Sequence, residues 1–206
     1  MSNYRSFIQD FPQRCQRILS WAAKPAMNSD SEVTLMLMAA SAGFLMPYER
    51  LKPGGKYAAH ADRDTYSDAS GKLDKLRECG FVGSDLWDAR MSSWGMGGLD
   101  SMDGGPDQWP ALQQPPVLPP DTKCDTILTT IRHALAHANV YTRVGMKGEI
   151  REIVFICHDH SHGSQPLRFL RVKPRDFLLF LHSWFSFTGG LHLPQDVIVE
   201  ALEEAG

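Results

Sequence analysis

The chain has 206 residues, of which 43% are hydrophobic and 22% are charged, and its formal net charge is -3. This length and composition suit one globular domain with a sizeable core. The slight negative charge excludes the broad basic surface of a non-specific nucleic-acid binder, so any contact with nucleic acid must be local. The first residues, MSNYRSFIQDF, lack the apolar stretch of a signal peptide. No apolar run reaches the roughly 18 residues that span a bilayer.

The four cysteines lie far apart in the sequence, at Cys15, Cys79, Cys124 and Cys157. This spacing contains no short zinc-binding or redox pair. We therefore expect a reduced, cytoplasmic protein with no membrane contact, in which the cysteines act as buried small hydrophobes.

Three helices are predicted in the first eighty residues. Residues 4–24 carry apolar side chains at three- and four-residue steps, which indicates an amphipathic helix that Pro25 helps to close. Residues 30–50 begin with good N-cap residues and are then apolar almost all round, which predicts a central, buried helix that Pro47 ends. A third helix is predicted at 67–79.

A segment rich in glycine, tryptophan and proline occupies about residues 80–120. Clustered proline favours extended backbone over helix, whereas tryptophans are rare in disordered linkers, and Trp87, Trp94 and Trp109 all lie here. The segment is therefore expected to be a long loop that its tryptophans hold onto the rest of a single domain, residues 1–206.

A motif-bearing helix, a β-hairpin and two more helices complete the predicted order. The first helix is capped at Asp121 and extends to about Thr142. Two alternating, β-branched runs flank a polar turn and predict a small β-hairpin at about 149–173. Helices are then expected at 174–187 and at 194–205.

The helix that begins after Asp121 carries three polar residues opposite an apolar stripe. At about 100° per residue, the apolar neighbours of Ile131 lie on one side, and Arg132, His133 and His137 lie on the other. Arginine offers a planar, charged donor fork to a phosphate, and histidine exchanges a proton near neutral pH. Such a face can position an RNA phosphate and move the proton of the ribose 2′-OH without a metal ion.

The spacing of arginine and histidine is not informative by itself. The pattern Arg-x(4–6)-His occurs three times, whereas composition predicts about 1.5 matches by chance. The matches are Arg132/His137, Arg151/His158 and Arg175/His182. Arg151/His158 lies on a predicted strand and the turn that follows it. Arg175/His182 lies on a predicted helix that is rich in aromatic residues. The place of each pair in the predicted structure therefore favours Arg132/His137 as a functional site. The alternative is that these two residues only form an exposed helix face and have no chemical role.

The segment RHALAHANVY, residues 132–141, resembles the signature of HEPN domains (higher eukaryotes and prokaryotes nucleotide-binding). That signature is an arginine, often followed by Asn, His or Asp, then three to five further residues, and then a histidine. The hairpin and aromatic helix that follow are similar to a bacterial, often plasmid-borne HEPN subfamily with a β-hairpin after the motif helix. The resemblance covers residues 121–187 well and the first two helices loosely, and it does not extend to residues 80–120.

The resemblance implies a mainly α fold, a HEPN-like helical bundle with a small β-hairpin inserted between the motif helix and the next helix. It also implies a metal-independent endoribonuclease without cofactors. The partners it implies are RNA and a second copy of the chain whose motif helix faces the first. A toxin or host-defence effector is the expected role, with an antitoxin as a candidate partner.

Within that resemblance, Arg132 and His137 are the expected catalytic residues. Arg132 would hold the phosphate, and His137 would move the 2′-OH proton or protonate the leaving oxygen. His133 and Asn139 would position the substrate. The expected products carry a 2′,3′-cyclic phosphate and a 5′-OH.

Two other functions stay open. A HEPN fold can bind RNA or a nucleotide without cutting it, because fold alone does not determine function. The sequence HDHSH also offers His158, His160 and His162 as ligands for a metal-binding protein, although these residue types are equally suited to a solvated hairpin turn.

Overall fold

The computed structural model describes residues 7–28, 31–51, 67–113, 117–146, 148–158 and 167–191. The helix predicted at 194–205 lies outside the described residues, and so do His160 and His162.

Helices make up most of the regular structure of the described residues. The helices are α1 (Phe7–Asn28), α2 (Glu32–Ala40), α3 (Met46–Leu51), α4 (Ser67–Glu78), α5 (Pro110–Gln113), α6 (Cys124–Ala136) and α7 (Pro174–Gly189). A π-helical segment, Ser41–Leu45, joins α2 directly to α3. Pro47 therefore does not end the predicted second helix. It lies inside this continuous helical run, and the carbonyl of Gly43, four residues before it, accepts a hydrogen bond from Nε1 of Trp184.

Four antiparallel strands form one sheet in the order β1–β4–β3–β2. The strands are β1 (Gly95–Leu99), β2 (Val140–Val144), β3 (Ile150–His158) and β4 (Leu167–Val172). The two runs predicted at 149–173 pair as β3 and β4, with Ile153 opposite Val172. They are the inner pair of a larger sheet, because β1 comes from the segment predicted to be a loop and β2 from the predicted end of the motif helix.

The motif helix is shorter than the sequence suggested. It ends at Ala136 rather than near Thr142, because Ala138 adopts a left-handed backbone with φ of 56°. The N–H of Asn139 then donates to the carbonyl of Ala134 at 2.9 Å, which is the bond that closes a Schellman-type helix end. The β-branched and aromatic residues that follow suit a strand and form β2.

The two faces of the sheet pack against different parts of the chain. Ile153, Phe155, Leu170 and Val172 join the helices in the main core. Val154, Ile156, Leu167 and Phe169 lie in a second core with Trp109 and Leu112. Side chains alternate between the faces of a strand, so β3 and β4 separate the two cores. Helix α6 therefore has a fixed position on one face of the sheet.

The segment at 80–120 contributes to both cores. Trp94 is buried in the main core, and Trp109 is buried in the second. The ring of Trp109 meets Tyr141 of β2 edge to face at 5.2 Å. The segment contains β1 and α5 and is therefore more regular than a plain loop.

Candidate active site at the end of helix α6

Helix α6 places its polar residues where the helix meets solvent. Its apolar residues Ile127, Leu128 and Ile131 are buried against the sheet. Arg132 and His133 are half-buried, and His137 is exposed. The apolar stripe predicted from the sequence thus fixes the orientation of the motif residues.

Arg132 is oriented by a carboxylate from another helix. Its Nε donates a hydrogen bond to Oε1 of Glu49, which lies on α3. The side chain of Arg132 is 21% exposed and that of Glu49 is 34% exposed. A charged hydrogen bond of this kind fixes the plane of the guanidinium.

His133 lies between Arg132 and His137. Nη1 of Arg132 is 3.3 Å from Nδ1 of His133. The rings of His133 and His137 are stacked, with centroids 6.1 Å apart and planes 13° apart. The structure therefore brings the three motif residues into one continuous row. His133 is the middle member of this row.

His137 differs in backbone conformation from the residues before it. It is the C-cap of α6, with φ of -110°, and its N–H donates to the carbonyl of His133. The orientation predicted for His137 at about 100° per residue assumed a continuous helix, so it does not hold for this residue. The helix end gives its imidazole an exposed position beside the start of β2.

Asn139 connects the motif to the sheet through its backbone. Its N–H donates to Ala134 and its carbonyl accepts from the N–H of Ile156 at 3.0 Å. Asn139 is half-buried at this junction. Its backbone thus holds the end of α6 against β3, whereas its predicted role in positioning substrate depends on the side chain.

The two rival Arg–His pairs do not form comparable sites. Arg151 and His158 lie near opposite ends of β3, so the strand separates them by roughly 23 Å. His182 on α7 is half-buried, and its Nδ1 is 3.5 Å from Nε2 of Gln16. Burial lowers the pKa of His182, and the charge of Arg90 lowers it further.

No group of three or more His, Cys, Asp or Glu residues that could hold a metal ion occurs among the described residues. His158 is exposed at the end of β3, and the other two histidines of the HDHSH segment lie outside the described ranges. The metal-binding alternative therefore remains a prediction.

The cysteines are free thiols, and one of them differs from expectation. Cys15, Cys124 and Cys157 are buried, whereas Cys79 is exposed. Burial raises the pKa of the Cys15 and Cys124 thiols. Cys79 lies just after the end of α4, and its Sγ donates to the carbonyl of Lys75 at 3.2 Å. The prediction that all four are buried is therefore wrong at Cys79.

Sequence reasoning missed Glu49 as a member of the site. Glu49 lies 83 positions before Arg132 in the chain, so no local spacing connects them. The available signal was the polar pair Glu49–Arg50 at the end of an otherwise apolar helix. A charged pair in such a helix indicates a partner elsewhere in the fold.

This fold and this row of residues define a mainly helical protein of the HEPN class. The chain belongs to the HEPN pEK499 p136 family, whose family model matches residues 1–189. The resemblance inferred from RHALAHANVY is thereby confirmed, and the matched region includes residues 80–120, to which the resemblance was not expected to extend. No curated protein and no solved structure matches the chain significantly. Within the part of the chain that the structure describes, no helix is long and apolar enough to cross a membrane.

Proposed function

We propose that the protein is a metal-independent HEPN endoribonuclease. The observation that carries the proposal is the continuous row of Arg132, His133 and His137 at an exposed helix end, with Arg132 oriented by Glu49. This row combines a phosphate-binding cation with two groups that can transfer protons.

In the proposed reaction, the ribose 2′-oxygen attacks the adjacent phosphorus while the bond to the 5′-oxygen breaks. The proton leaves the 2′-hydroxyl, and a proton is delivered to the departing 5′-oxygen. The products are a 2′,3′-cyclic phosphate and a 5′-hydroxyl. His137 transfers one of these protons, because it is the most exposed of the three motif side chains.

Arg132 binds the phosphate that becomes more negative in the transition state. Its hydrogen bonds to the described residues use Nε and Nη1, which leaves Nη2 for a phosphate oxygen. His133 and Asn139 position the substrate. His133 lies against both catalytic side chains, and Asn139 lies at the junction of α6 and β3.

The active unit is proposed to be a homodimer in which the motif helices of two copies face each other. One copy supplies a single arginine whose charge Glu49 partly neutralises, and the chain is acidic overall. Two copies place two arginines and four histidines along one RNA path, which increases the local positive potential.

The cellular role is proposed to be that of a cytoplasmic toxin or host-defence effector, restrained by an antitoxin. A bacterial host that produces the wild-type protein should then grow poorly, whereas one that produces His137→Ala should grow normally. Equal growth of both hosts would remove the toxin role without removing the nuclease activity.

RNA cleavage in the presence of EDTA tests the nuclease. Wild type should yield products with cyclic phosphate ends, and Arg132→Ala and His137→Ala should lose activity by about 100-fold or more. Arg17→Ala, on the exposed side of α1, is the control and should cleave like wild type. Equal cleavage by all four proteins would refute the assignment of the site.

A HEPN module that binds RNA or a nucleotide without cutting it is the second candidate. The observation that favours it is that Nε and Nη1 of Arg132 are hydrogen-bonded to Glu49 and His133 and leave Nη2 for a phosphate oxygen, since holding a phosphate needs no proton transfer. Tight RNA binding by wild type without any product, lost in Arg132→Ala, would establish this function instead.

A further inference from the structure

A second concentration of positive charge lies away from the motif. A cleft of about 440 Å³ opens where β2 ends, β3 begins and β4 ends. Arg143, Arg151, Arg171 and Lys173 line it, and Glu152 is the one acidic residue in its wall. The wall is thus strongly cationic, although the chain as a whole carries a charge of -3.

Two of these arginines are held in a buried network. The side chains of Arg143 and Arg171 are 7% and 12% exposed, and each donates to a different oxygen of Glu152 at 2.9 Å. Glu152 is shared between these two guanidinium groups, and the exposed Asp107 also pairs with Arg143. Arg151 and Lys173 add two exposed positive charges beside them, so the cleft attracts anions.

Further hydrogen bonds hold the guanidinium of Arg143 in place. Its Nε donates to Asp107 at 3.2 Å, and its Nη1 also donates to the carbonyl of Leu112 at 3.0 Å. Asp107 is 61% exposed, so water screens its charge. Among the described residues, Nη2 of Arg143 has no acceptor, and the guanidinium can offer it to a ligand without rearranging.

We propose that this cleft binds the phosphate group of a small phosphorylated ligand of nucleotide size. Arg143 supplies a fixed positive charge and its remaining Nη2 donor, and a guanidinium N–H forms a strong charged hydrogen bond with a phosphate oxygen. The exposed Arg151 and Lys173 supply mobile charge at the rim. A volume of about 440 Å³ lies within the range of roughly 300–1,000 Å³ that small-molecule sites occupy, and it does not accommodate a nucleic-acid duplex.

The cleft is separate from the proposed nuclease site. Arg143, Glu152 and Arg171 each lie two positions along their strand from a residue of the second core, so they share the sheet face opposite helix α6. His137 precedes the start of β2, whereas Arg143 lies near its end. Failure of RNA cleavage would therefore leave this proposal intact, and the reverse also holds.

Calorimetric titration with inorganic pyrophosphate and with ADP, both in EDTA, tests the proposal. The variant Arg151→Gln/Lys173→Gln removes two exposed rim charges, and the control Arg17→Gln/Lys24→Gln removes two exposed charges from α1. Wild type and control should bind with affinities within about twofold of each other, and the rim variant should bind about tenfold more weakly.

A short RNA with a 5′-phosphate, compared with the same RNA with a 5′-hydroxyl, separates two sources of the phosphate. Preference for the phosphorylated RNA, lost in the rim variant, would assign the ligand to an RNA end. Binding of ADP without that preference would assign it to a free nucleotide. The proposal is overturned if wild type binds none of these probes at about 1 mM, or if the rim variant binds as wild type does.

Discussion

Glu49 on α3 and Arg132 on α6 form an ion pair that joins two helices across 83 positions of sequence. The pair is partly exposed, so its contribution to folding stability is small. Its consequence for the site is larger, because the carboxylate both fixes the guanidinium and reduces its net charge. For the proposed nuclease, fixing the guanidinium favours cleavage, whereas reducing its charge weakens binding of the RNA phosphate.

Two substitutions of Glu49 separate charge from orientation. Glu49→Gln keeps an acceptor for Nε and removes the negative charge, so RNA should bind about threefold to tenfold more tightly. Glu49→Ala also removes the acceptor, so the cleavage rate with bound RNA should fall about tenfold. Single-turnover cleavage and filter binding measure the two quantities.

The control for these variants is Glu78→Gln, which removes an exposed carboxylate at the end of α4. It should leave the affinity and the cleavage rate of wild type unchanged. A Glu49→Ala protein that matches wild type in both quantities would show that Glu49 has no role in the site.

Ala138→Gly should stabilise the protein. Ala138 has φ of 56°, a conformation that is costly for a residue with a Cβ and that glycine adopts freely. We expect a gain of about 1 kcal/mol in the free energy of unfolding, measured by urea denaturation. Ala136→Gly, two residues earlier and the last residue of α6, should instead lose about 0.5 kcal/mol. A loss of stability in Ala138→Gly would contradict this account of the helix end.

The contrast between Ala136 and Ala138 shows that the buried face of α6 could be predicted from the sequence, whereas its end could not. The stripe around Ile131 identified the buried side of α6, because helical periodicity is a property of neighbouring residues. The end of the helix depends on the bond from Asn139 to Ala134 and on the pairing of β2 with β3. Alanine is a strong helix former, so local propensity favoured continuing through Ala138.

Contacts distant in sequence explain the other differences. Gly95–Leu99 has too many glycines to be recognised as a strand, yet it pairs with β4 along its full length. Arg132 was identified from its neighbours, whereas its partner Glu49 depends on how α3 packs near α6. Local patterns thus gave the motif residues, and packing determined which other side chain joins them.

Gly43→Ala should destabilise the protein, because the π-helical segment is tightly packed at this position. A Cβ there would lie 2.7 Å from Cε1 of Phe185 and 2.9 Å from Cβ of Cys15. The carbonyl of Gly43 also accepts a hydrogen bond from Nε1 of the buried Trp184 at 3.0 Å. We expect a loss of about 1–3 kcal/mol, measured by chemical denaturation.

Gly71→Ala is the matched substitution in open space. A Cβ at Gly71 meets no atom within 4 Å, and the residue lies inside α4. Helix propensity should therefore stabilise this variant by up to about 1 kcal/mol. If both glycine variants change stability in the same direction, the steric explanation for Gly43 is wrong.

His182 should make the stability of the protein sensitive to pH. Burial lowers the pKa of its imidazole in the folded state, and Arg90 acts in the same direction, whereas the unfolded chain titrates near a pKa of about 6.5. Below that pKa the unfolded state binds the proton more readily than the folded state. Stability from the neutral imidazole is therefore present above about pH 6.5 and is lost as the pH falls towards the folded pKa.

The variant His182→Gln lacks this titration. Between about pH 7.5 and about pH 5, its melting temperature should fall less than that of wild type, as measured by circular dichroism. The difference between the two proteins at the upper pH, where the wild-type imidazole is neutral, gives the effect of lost packing alone. Melting temperatures that fall in parallel over this range would show that protonation of His182 does not oppose folding.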